Sequence, residues 1–404
     1  MSSHKHIKIK NKFKFIRSSL ILILSIILII FLLNYFSNKN NIAEDDSIQT
    51  SSELPVEEKK DTTIKMSIIG DIMCHNTQFK DAFNSSTNTY DFSYVFSEIA
   101  PYFENNDLNI GNLETTFAGS GRSYSGYPTF NTPEALATDL KELGINVLST
   151  ANNHCMDTGN KGLVNTLDVL DSVGIDHMGT YRTEEESNNV LIKDVNGIKI
   201  AFLSYTYGTN GIPVPSSKPF SVNLIDKEKI LKDIANAKSN NVDLICTSMH
   251  WGVEYLDSPN AEQQDLANFL FTNGVDIIFG SHPHVLEKME KVNVTTVDGE
   301  NKECFVIYSF GNFVSGQVKK NTRTSIILNL SVTKKADNTI TIDNINYIPI
   351  YCYTSGTSKK YKLIDIKKEL DNYNNGSSKY INSSNYNFYK NELERVQKVL
   401  NWEL

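Results

Sequence analysis

The chain lacks the features that mark disulfide-stapled, zinc-knuckle and low-complexity proteins. Its 404 residues include five cysteines, 21 glycines and 10 prolines. An odd number of cysteines at wide, irregular spacing, with no Cys-x-x-Cys pair, argues against a disulfide framework and against a zinc knuckle. Glycine and proline are not enriched, which excludes a low-complexity chain. The 40% of hydrophobic residues can bury a large core, in one domain of about 300 residues or in two smaller ones.

The chain also lacks an excess of basic over acidic residues. The formal net charge is −8, which argues against a nucleic-acid-binding surface, so we expect no nucleic-acid partner. The exception is the N-terminus, where basic residues crowd together: Lys5, Lys8, Lys10, Lys12, Lys14 and Arg17.

A long hydrophobic run follows that basic cluster. Residues 18–36 carry no charge and are mostly Leu, Ile and Phe, and as a helix they would span roughly 28 Å, close to the thickness of a bilayer core. The basic flank should stay in the cytoplasm and send the C-terminus outward. A cleaved signal peptide would have a shorter apolar region and a small-residue cleavage site, whereas this run ends in Asn34, Tyr35 and Phe36.

We therefore predict a single-pass protein of the cell membrane with an extracellular C-terminal domain. Residues 1–17 form a basic cytoplasmic tail, and residues 18–36 form an uncleaved transmembrane signal anchor. Residues 37–63 are polar and cannot bury enough surface to fold, so we interpret them as a flexible stalk. A domain over residues 64–350 follows, and then a C-terminal extension with a terminal helix over residues 351–404.

From residue 64 onward, β-branched runs alternate with helical patterns, which predicts an α/β sheet with helices on its faces. Predicted strands cover residues 64–69, 108–110, 147–150, 199–205, 242–249 and 275–279. Predicted helices cover residues 133–143, 162–173, 227–238 and 261–271. Beyond residue 290 the pattern is mostly β. An Asn- and Ser-rich loop over residues 372–386 then precedes an amphipathic helix over residues 387–402.

Five predicted strands end in side chains that are typical metal ligands. They are Asp71, Glu114, Asn153 with His154, His250, and His282 with His284. In open α/β sheets ligands bind outside the carboxyl ends of the strands, so residues far apart in sequence can meet in one pocket. The mixture of carboxylate, amide oxygen and imidazole suits Zn, Mn or Fe better than Ca or Mg.

Each of these residues alone has an ordinary explanation. Asp71 is typical of a turn or a helix cap, Glu114 of a solvated loop carboxylate, and Asn153 of a turn. The joint pattern is more specific, because most histidines after the N-terminal tail follow a predicted strand, and His75 lies close to Asp71. His177 is the exception and is expected to be structural. We predict a shared site for a metal or a phosphate-type ligand.

Two cysteines lie beside these strand ends. Cys74 and Cys155 are expected to be free thiols near the site, whereas Cys246 and Cys304 lie in apolar runs and are expected in the core.

Six short motifs follow one another along the chain: Gly70-Asp71-Ile72-Met73, Asn112-Leu113-Glu114, Ala151-Asn152-Asn153-His154, His250-Trp251-Gly252-Val253-Glu254-Tyr255, Gly280-Ser281-His282-Pro283-His284 and Tyr308-Ser309-Phe310-Gly311-Asn312-Phe313. In this order they resemble the motifs of the CapA family of poly-γ-glutamate capsule proteins. The resemblance covers roughly residues 64–320. It implies a calcineurin-like metallophosphoesterase fold, an αββα arrangement of two packed β-sheets flanked by helices.

The resemblance also implies a divalent metal cofactor, one or two ions of Mn, Zn or Fe. Asp71 would bind a first ion together with His284, and Glu114 would bridge to a second. The second site would be completed by Asn153, His250 and His282. His154 would be the catalytic group that protonates a leaving oxygen, while two ions would clamp a phosphoryl group. We expect substrate contacts from Asn112, Trp251, Glu254, Tyr255 and Asn312.

The sequence departs from the phosphoesterase pattern in three places. Asp71 is followed by Ile72 and Met73 instead of the usual Asp-x-His motif, and Glu114 stands where Asp is usual. Cys155 follows His154 where a carboxylate could orient the imidazole. These changes weaken the first metal site most, so a single-ion site or a site remodelled for another substrate stays open.

The expected function is therefore surface-anchored work in poly-γ-glutamate capsule synthesis or export. The partners would be poly-γ-glutamate or another anionic envelope polymer, and other membrane capsule-synthesis proteins. Two alternatives stay open. One is an extracytoplasmic metal-dependent hydrolase that acts on an envelope phosphoester or amide, and the other is a non-catalytic polymer-binding module of the same fold.

Overall fold

The first strand of the folded domain shows how the alternation of side chains builds two cores. The computed structural model describes residues 28–30, 32, 60–355 and 360–402, and its first strand, β1, runs over Thr62–Ile72. Ile64, Met66 and Ile68 lie in one buried cluster, whereas Ile69 and Ile72 lie in another. Successive side chains of a strand point to opposite faces, so β1 contributes to a core on each side of its sheet.

Fifteen further strands follow in the described part of the chain: β2 (Phe83–Asn84), β3 (Thr89–Tyr90), β4 (Leu108–Leu113), β5 (Val147–Ser149), β6 (Asp176–Met178), β7 (Leu191–Val195), β8 (Ile198–Thr206), β9 (Leu244–His250), β10 (Ile277–Ser281), β11 (Met289–Thr295), β12 (Asn301–Ile307), β13 (Asn312–Val314), β14 (Thr324–Lys334), β15 (Ile340–Thr354) and β16 (Tyr361–Asp365). The helices are α1 (Asn76–Ala82), α2 (Ser93–Phe96), α3 (Ala135–Glu142), α4 (Gly159–Val173), α5 (Glu184–Ser187), α6 (Lys227–Ser239), α7 (Ala261–Thr272), α8 (Ile366–Asn374) and α9 (Tyr386–Leu400).

These strands form two large sheets and one small hairpin. The first sheet has the order β16-β15-β14-β1-β4-β5-β6, and β13 also pairs with β1. The second sheet has the order β11-β12-β10-β9-β8-β7. The strands β1, β4, β5 and β6 are parallel, and so are β8, β9, β10 and β12. The carboxyl ends of these parallel strands therefore gather at one edge of each sheet.

The two sheets pack face to face with helices outside. The central core joins Ile64 and Ile110 of the first sheet to Phe202 and Phe279 of the second. The outer face of the first sheet packs against α1, α3 and α4, and the outer face of the second packs against α6 and α7. This layering confirms the αββα arrangement with two packed sheets that the sequence predicted.

The C-terminal residues belong to the first sheet. β15 continues through the boundary predicted at residue 350, and β16 pairs with it from Tyr361 to Asp365. Part of the loop predicted over residues 372–386 is helical, since α8 ends at Asn374. Asp365 caps the start of this helix by accepting a hydrogen bond from the backbone N–H of Lys368 at 2.9 Å.

The predicted anchor lies outside the described residues, apart from Leu28, Ile29, Ile30 and Leu32, which are helical. Within the described residues, no helix is long and apolar enough to cross a membrane. The predicted stalk also lies outside them up to residue 59, and its last two residues belong to β1.

Candidate metal centre

A close approach of two strands positions Asp71. A Cβ atom on the preceding residue, Gly70, would lie 2.0 Å from the carbonyl oxygen of Gly311, so only glycine fits there. The approach lets the backbone N–H of Asp71 donate to Gly311 O at 3.0 Å and aligns Asp71 with Asn112 of β4 and Asn312 of β13. The end of β1 is thereby held between two neighbouring strands.

The carboxylate of Asp71 is fully buried and oriented by two partners. Its Oδ1 accepts a hydrogen bond from Nδ2 of Asn112 at 2.9 Å, and its Oδ2 lies 3.1 Å from Nδ1 of His284. Asn112 therefore fixes the direction of a carboxylate. Its amide nitrogen is already engaged, although the sequence predicted that this residue contacts substrate.

Glu114 is the most informative residue of the site. It is fully buried, and neither of its carboxylate oxygens has a hydrogen-bond partner among the described residues. Its Oε1 lies 3.7 Å from Nε2 of His250 and 3.8 Å from Nε2 of His284. Burial, and then the nearby charge of Asp71, raise the pKa of Glu114 well above its usual value. A buried carboxylate without partners is costly, and a bound cation would offset that cost.

His250 joins the two sheets at this point. Its Nε2 lies 2.9 Å from Oδ1 of Asn153, which follows β5, and its Nδ1 lies 2.8 Å from Oγ of Ser281 on the neighbouring strand. Burial, and then the imidazoles of His282 and His284, lower the pKa of His250 well below its usual value. A neutral imidazole oriented by a second partner is the form that binds a metal.

The turn after β10 holds two histidines in unusual backbone conformations. His282 has a φ of 98° and His284 a φ of 60°, in the left-handed region that favours glycine. Nδ1 of His282 is buried and has no hydrogen-bond partner among the described residues. Burial is the main cause that lowers the pKa of His282 to about 4. Left-handed backbone at two non-glycine residues, beside a buried nitrogen without a partner among the described residues, is typical of a functional site.

The donors fall into two sets that fit a divalent cation. One set is Asp71, Glu114 and His250, and the other is Glu254, His282 and His284. Within each set the potential ligand atoms lie within 4.8 Å of one another. Carboxylates and neutral imidazoles are the donors that Zn, Mn and Fe accept, and the unpartnered oxygens of Glu114 show the same preference for a cation. Glu254, which the sequence predicted as a substrate contact, is exposed and belongs to the second set.

A carboxylate orients the imidazole of His154, although Cys155 and not a carboxylate follows it in the sequence. Its Nδ1 lies 2.8 Å from Oδ2 of Asp157, three positions further along the chain, and both side chains are buried. The backbone N–H of Phe130 donates to the same Oδ2 at 2.7 Å, so the carboxylate is itself held in place. The side chain of Cys155 is not needed for this role, and the departure noted at that position does not weaken His154.

Of the remaining predicted substrate contacts, one borders the site and two have partners within the protein. Trp251 is only 2% exposed, packs on Tyr308 and donates its indole N–H to Tyr308 O at 2.9 Å, so it belongs to the core. Nδ2 of Asn312 donates to Gln317 Oε1 and to Thr322 O, both at 3.0 Å. Tyr255 does border the site, with its ring centroid 6.0 Å from that of His284.

Two residues outside the predicted set also lie at the site. The ring of Tyr207 is half-exposed and lies 4.5 Å from that of His282, and Nδ2 of Asn210 lies 3.4 Å from both ring nitrogens of His154. Tyr207 follows β8 directly and Asn210 lies four residues beyond its end, so the rule that polar groups at strand ends converge also applies to them.

The chain is similar in sequence to known proteins. Residues 65–317 match the sequence model of the family described as bacterial capsule synthesis protein PGA_cap. The chain belongs to this family. The resemblance to CapA proteins that the motifs indicated is thereby confirmed.

Two curated relatives of this capsule-synthesis family are similar over about two thirds of the chain. The capsule biosynthesis protein CapA of Bacillus anthracis is 30% identical over 288 residues, which cover 69% of this chain and 66% of that protein. The PGA biosynthesis protein CapA of Bacillus subtilis (strain 168) is 30% identical over 278 residues, which cover 68% of this chain and 69% of that protein. The alignments thus leave about a third of each relative unmatched.

Solved structures show weaker likenesses. The calcineurin-like phosphoesterase YfkN from Bacillus subtilis is 15% identical with a TM-score of 0.42, covering 83% of this chain and 99% of that chain. The NAD nucleotidase NadN of Haemophilus influenzae is 14% identical with a TM-score of 0.45, covering 84% of this chain and 61% of that chain. Family membership rests on the sequence matches.

Proposed function

We propose that this chain is an extracytoplasmic component of poly-γ-glutamate capsule synthesis or export, anchored in the cell membrane by residues 18–36. Its metal-dependent, phosphoesterase-like centre acts on the anionic polymer. The proposal is supported by the family membership and by the relative from Bacillus subtilis, whose name refers to PGA biosynthesis. The basic N-terminal cluster favours an outward-facing ectodomain, on the side where a capsule polymer emerges.

One observation carries the catalytic part of this proposal. Side chains from both sheets converge at one edge around Glu114, a buried carboxylate without a hydrogen-bond partner among the described residues. Asp71, Glu114 and His250 would hold one cation, and Glu254, His282 and His284 could hold another. When bound, such a cation supplies Lewis-acid polarisation of a phosphoryl or carbonyl oxygen.

The protein's own residues account for proton transfer. Because Asp157 accepts the hydrogen bond from Nδ1–H of His154, Nε2 is the ring atom that takes up or releases a proton. The protonated ring donates from Nε2 to the leaving atom, which is the nitrogen of a cleaved γ-amide or the oxygen of a cleaved phosphoester, and Asp157 orients the ring for that transfer. Asn210 lies against the same ring and limits its rotation.

The His154–Asp157 pair also favours a hydrolase over a module that only holds polymer. A binding module has no use for an oriented proton donor beside a ligand set. The second candidate function is therefore an extracytoplasmic hydrolase of another envelope phosphoester or amide, with the same residues in the same roles.

The test of the centre uses the full chain purified in detergent. Metal content is measured after EDTA treatment and reloading with Mn or Zn, together with hydrolysis of a generic phosphodiester and shortening of poly-γ-glutamate. We expect His250→Ala to lose both metal and hydrolysis, and His154→Ala to lose hydrolysis while it keeps metal. His177→Ala is the matched control, because His177 pairs with Asp171 away from the ligand sets.

The outcomes separate the candidates. Shortening of poly-γ-glutamate supports the capsule function, and cleavage of the small phosphodiester alone supports the second candidate. Full hydrolytic activity in His154→Ala, or a wild-type chain that retains no metal, would contradict a metal-dependent catalytic centre.

The anchor needs its own experiment. A reporter enzyme that is active only outside the cytoplasm is fused after residue 60, with and without residues 1–36. We expect activity and membrane fractionation only when those residues are present. An inactive reporter in the complete fusion would contradict the proposed orientation.

A further inference from the structure

A basic loop lies beside the candidate metal centre. Residues 315–323 follow β13 and carry Lys319, Lys320 and Arg323. Among the described residues, no carboxylate oxygen forms an ion pair within 4.0 Å with any of these three side chains. Three cations without acidic partners are unexpected in a chain of net charge −8, and together they make a local positive potential.

The base of this loop is built into the centre itself. The backbone N–H of Gly316 donates to Nδ1 of His75 at 3.1 Å, and Asn312 donates to both Gln317 and Thr322 at 3.0 Å. Asn312 is in register with Asp71 across β1 and β13. The position of the loop is therefore fixed by the same strand pairing that positions a proposed metal ligand.

Lys319 links the loop to the ligand set. Its Nζ lies 3.6 Å from the centroid of the Tyr255 ring, and that ring lies 6.0 Å from the imidazole of His284. A cation over an aromatic face is attracted by the negative charge of the ring face, which holds the ammonium group near the centre.

Lys319 also lines a groove. It has a volume of about 360 Å³ and is formed by the basic loop with parts of β15 and α9. Two apolar side chains are open to solvent along it, Val318 at 79% and Phe388 at 46% exposure. Its carboxylate, Glu392, is already paired with Arg395 at 2.9 Å. The groove thus offers cations and exposed apolar surface side by side.

We propose that this groove, with Lys319 and Lys320 at its centre-facing end, holds an extended polycarboxylate chain whose carboxylates are separated by methylene segments. The assignment rests on the proposed function, since the bound chain is the polymer on which the centre acts. The carboxylates pair with the lysines and with Arg323. The methylene segments cover Val318 and Phe388, which removes apolar surface from water. An inorganic polyphosphate has the charge but no methylene groups.

The test measures binding alone. Fluorescently labelled poly-γ-glutamate is titrated with the full chain in detergent and EDTA, and anisotropy reports the dissociation constant at several salt concentrations. We expect Lys319→Gln combined with Lys320→Gln to weaken binding by about 3- to 30-fold, the effect of losing two solvent-exposed ion pairs. The salt dependence of binding should become shallower in this variant, because fewer ions are displaced.

The chain offers a matched control. Lys367 and Lys368 are also adjacent, exposed lysines, and they lie in α8 and do not line the groove. Lys367→Gln combined with Lys368→Gln removes the same charge and should leave the affinity unchanged. Equal losses in the two double variants would overturn the proposal, because binding would then follow net charge alone.

Two further binding measurements distinguish a polycarboxylate from a polyphosphate ligand. Val318→Ser should weaken binding of poly-γ-glutamate and leave binding of inorganic polyphosphate unchanged. Polyphosphate that binds as tightly as poly-γ-glutamate, with the same dependence on Lys319 and Lys320, would overturn the assignment to a polycarboxylate. Because EDTA is present throughout, the binding titration does not depend on metal. A wild-type chain that binds no metal would therefore contradict the proposed centre and not the groove. Unchanged affinity in the lysine variant would contradict the groove and not the centre.

Discussion

Oδ2 of Asp157 lies 2.8 Å from Nδ1 of His154, so a carboxylate three positions along the chain orients the imidazole that we assign to proton transfer. The same oxygen is fixed by the backbone N–H of Phe130. Asp157 is therefore a positioning residue, since it acts on the reacting group through His154.

The first prediction concerns this pair. Asp157→Asn replaces an acceptor with an amide that cannot both accept from Nδ1 and stabilise a protonated ring. We expect phosphodiester hydrolysis to fall by about 10- to 100-fold with metal content unchanged, and the basic limb of the pH–rate profile, where the general acid loses its proton, to move. Asp171→Asn is the control, because Asp171 pairs with His177 at 3.1 Å outside the site. An unchanged pH profile in Asp157→Asn would show that the contact is only structural.

The second prediction concerns stabilisation by metal. A cation that binds only the folded chain at about 100 times its dissociation constant adds about 2.7 kcal/mol to the free energy of unfolding. We expect Mn or Zn to raise the Tm of the wild-type chain and to raise that of Glu114→Gln by less, because Glu114 belongs to only one of the two donor sets. Glu369→Gln is the control, since Glu369 is buried but both of its oxygens accept hydrogen bonds. A metal-induced rise in Glu114→Gln equal to that of the wild type would remove Glu114 from the ligand set.

The third prediction concerns the pH dependence of stability. Glu287 is buried, its Oε2 accepts a hydrogen bond from Gln263 at 2.7 Å, and its Oε1 has no partner among the described residues. Burial raises the pKa of Glu287 to about 8, whereas an unfolded glutamate titrates near 4.3, as is usual for this side chain. The folded state therefore keeps a proton that the unfolded state releases, and stability falls as pH rises between these values.

Urea unfolding in EDTA from pH 5 to 9 measures this effect. The contribution of Glu287 is fully present below about pH 4 and is lost as pH passes through about 8, with a slope of up to about 1.4 kcal/mol per pH unit. Glu287→Gln should remove that slope, and Glu290→Gln, which changes a half-buried partner of Lys288, should keep it. Parallel profiles for the wild type and Glu287→Gln would contradict the assignment.

The fourth prediction concerns the cysteines. All five are free and buried, which confirms the expectation of free thiols at Cys74 and Cys155. Burial raises the pKa of each of these two thiols to about 12, so neither is a thiolate at neutral pH. We expect almost no reaction with a thiol reagent in the folded chain and reaction of all five after denaturation. Rapid modification of the native protein at either position would show that the site opens.

Local patterns were sufficient for much of the fold. The helix predicted over residues 227–238 begins at the observed residue, Lys227, because Asp226 supplies the N-cap and accepts from Lys229 N–H at 2.8 Å. The strand predicted over residues 199–205 is β8 with one more residue at each end. By contrast, β16 was missed, because among the described residues it pairs only with β15 and its short sequence has no strong alternation of its own.

The sequence likewise predicted some features of the site and missed others. The strand-end rule indicated Asp71, Glu114, Asn153, His250, His282 and His284 as one cluster, because the carboxyl ends of parallel strands must share an edge. It did not separate Trp251, which is buried against Tyr308, from Tyr255, which borders the centre. Which way a side chain turns after a strand depends on what packs behind it, and that information is not local.

The sequence by itself determined the α/β layering, the family and the convergence of ligand-type side chains, because hydrophobic periodicity and short motifs are properties of neighbouring residues. The tertiary structure alone decided that Asp157 orients His154, that neither carboxylate oxygen of Glu114 has a hydrogen-bond partner among the described residues, and that Lys319 lies over Tyr255. The first relationship depends on the irregular turn after β5. The other two depend on loop paths and on the packing of two sheets, and no periodicity along the chain encodes any of the three.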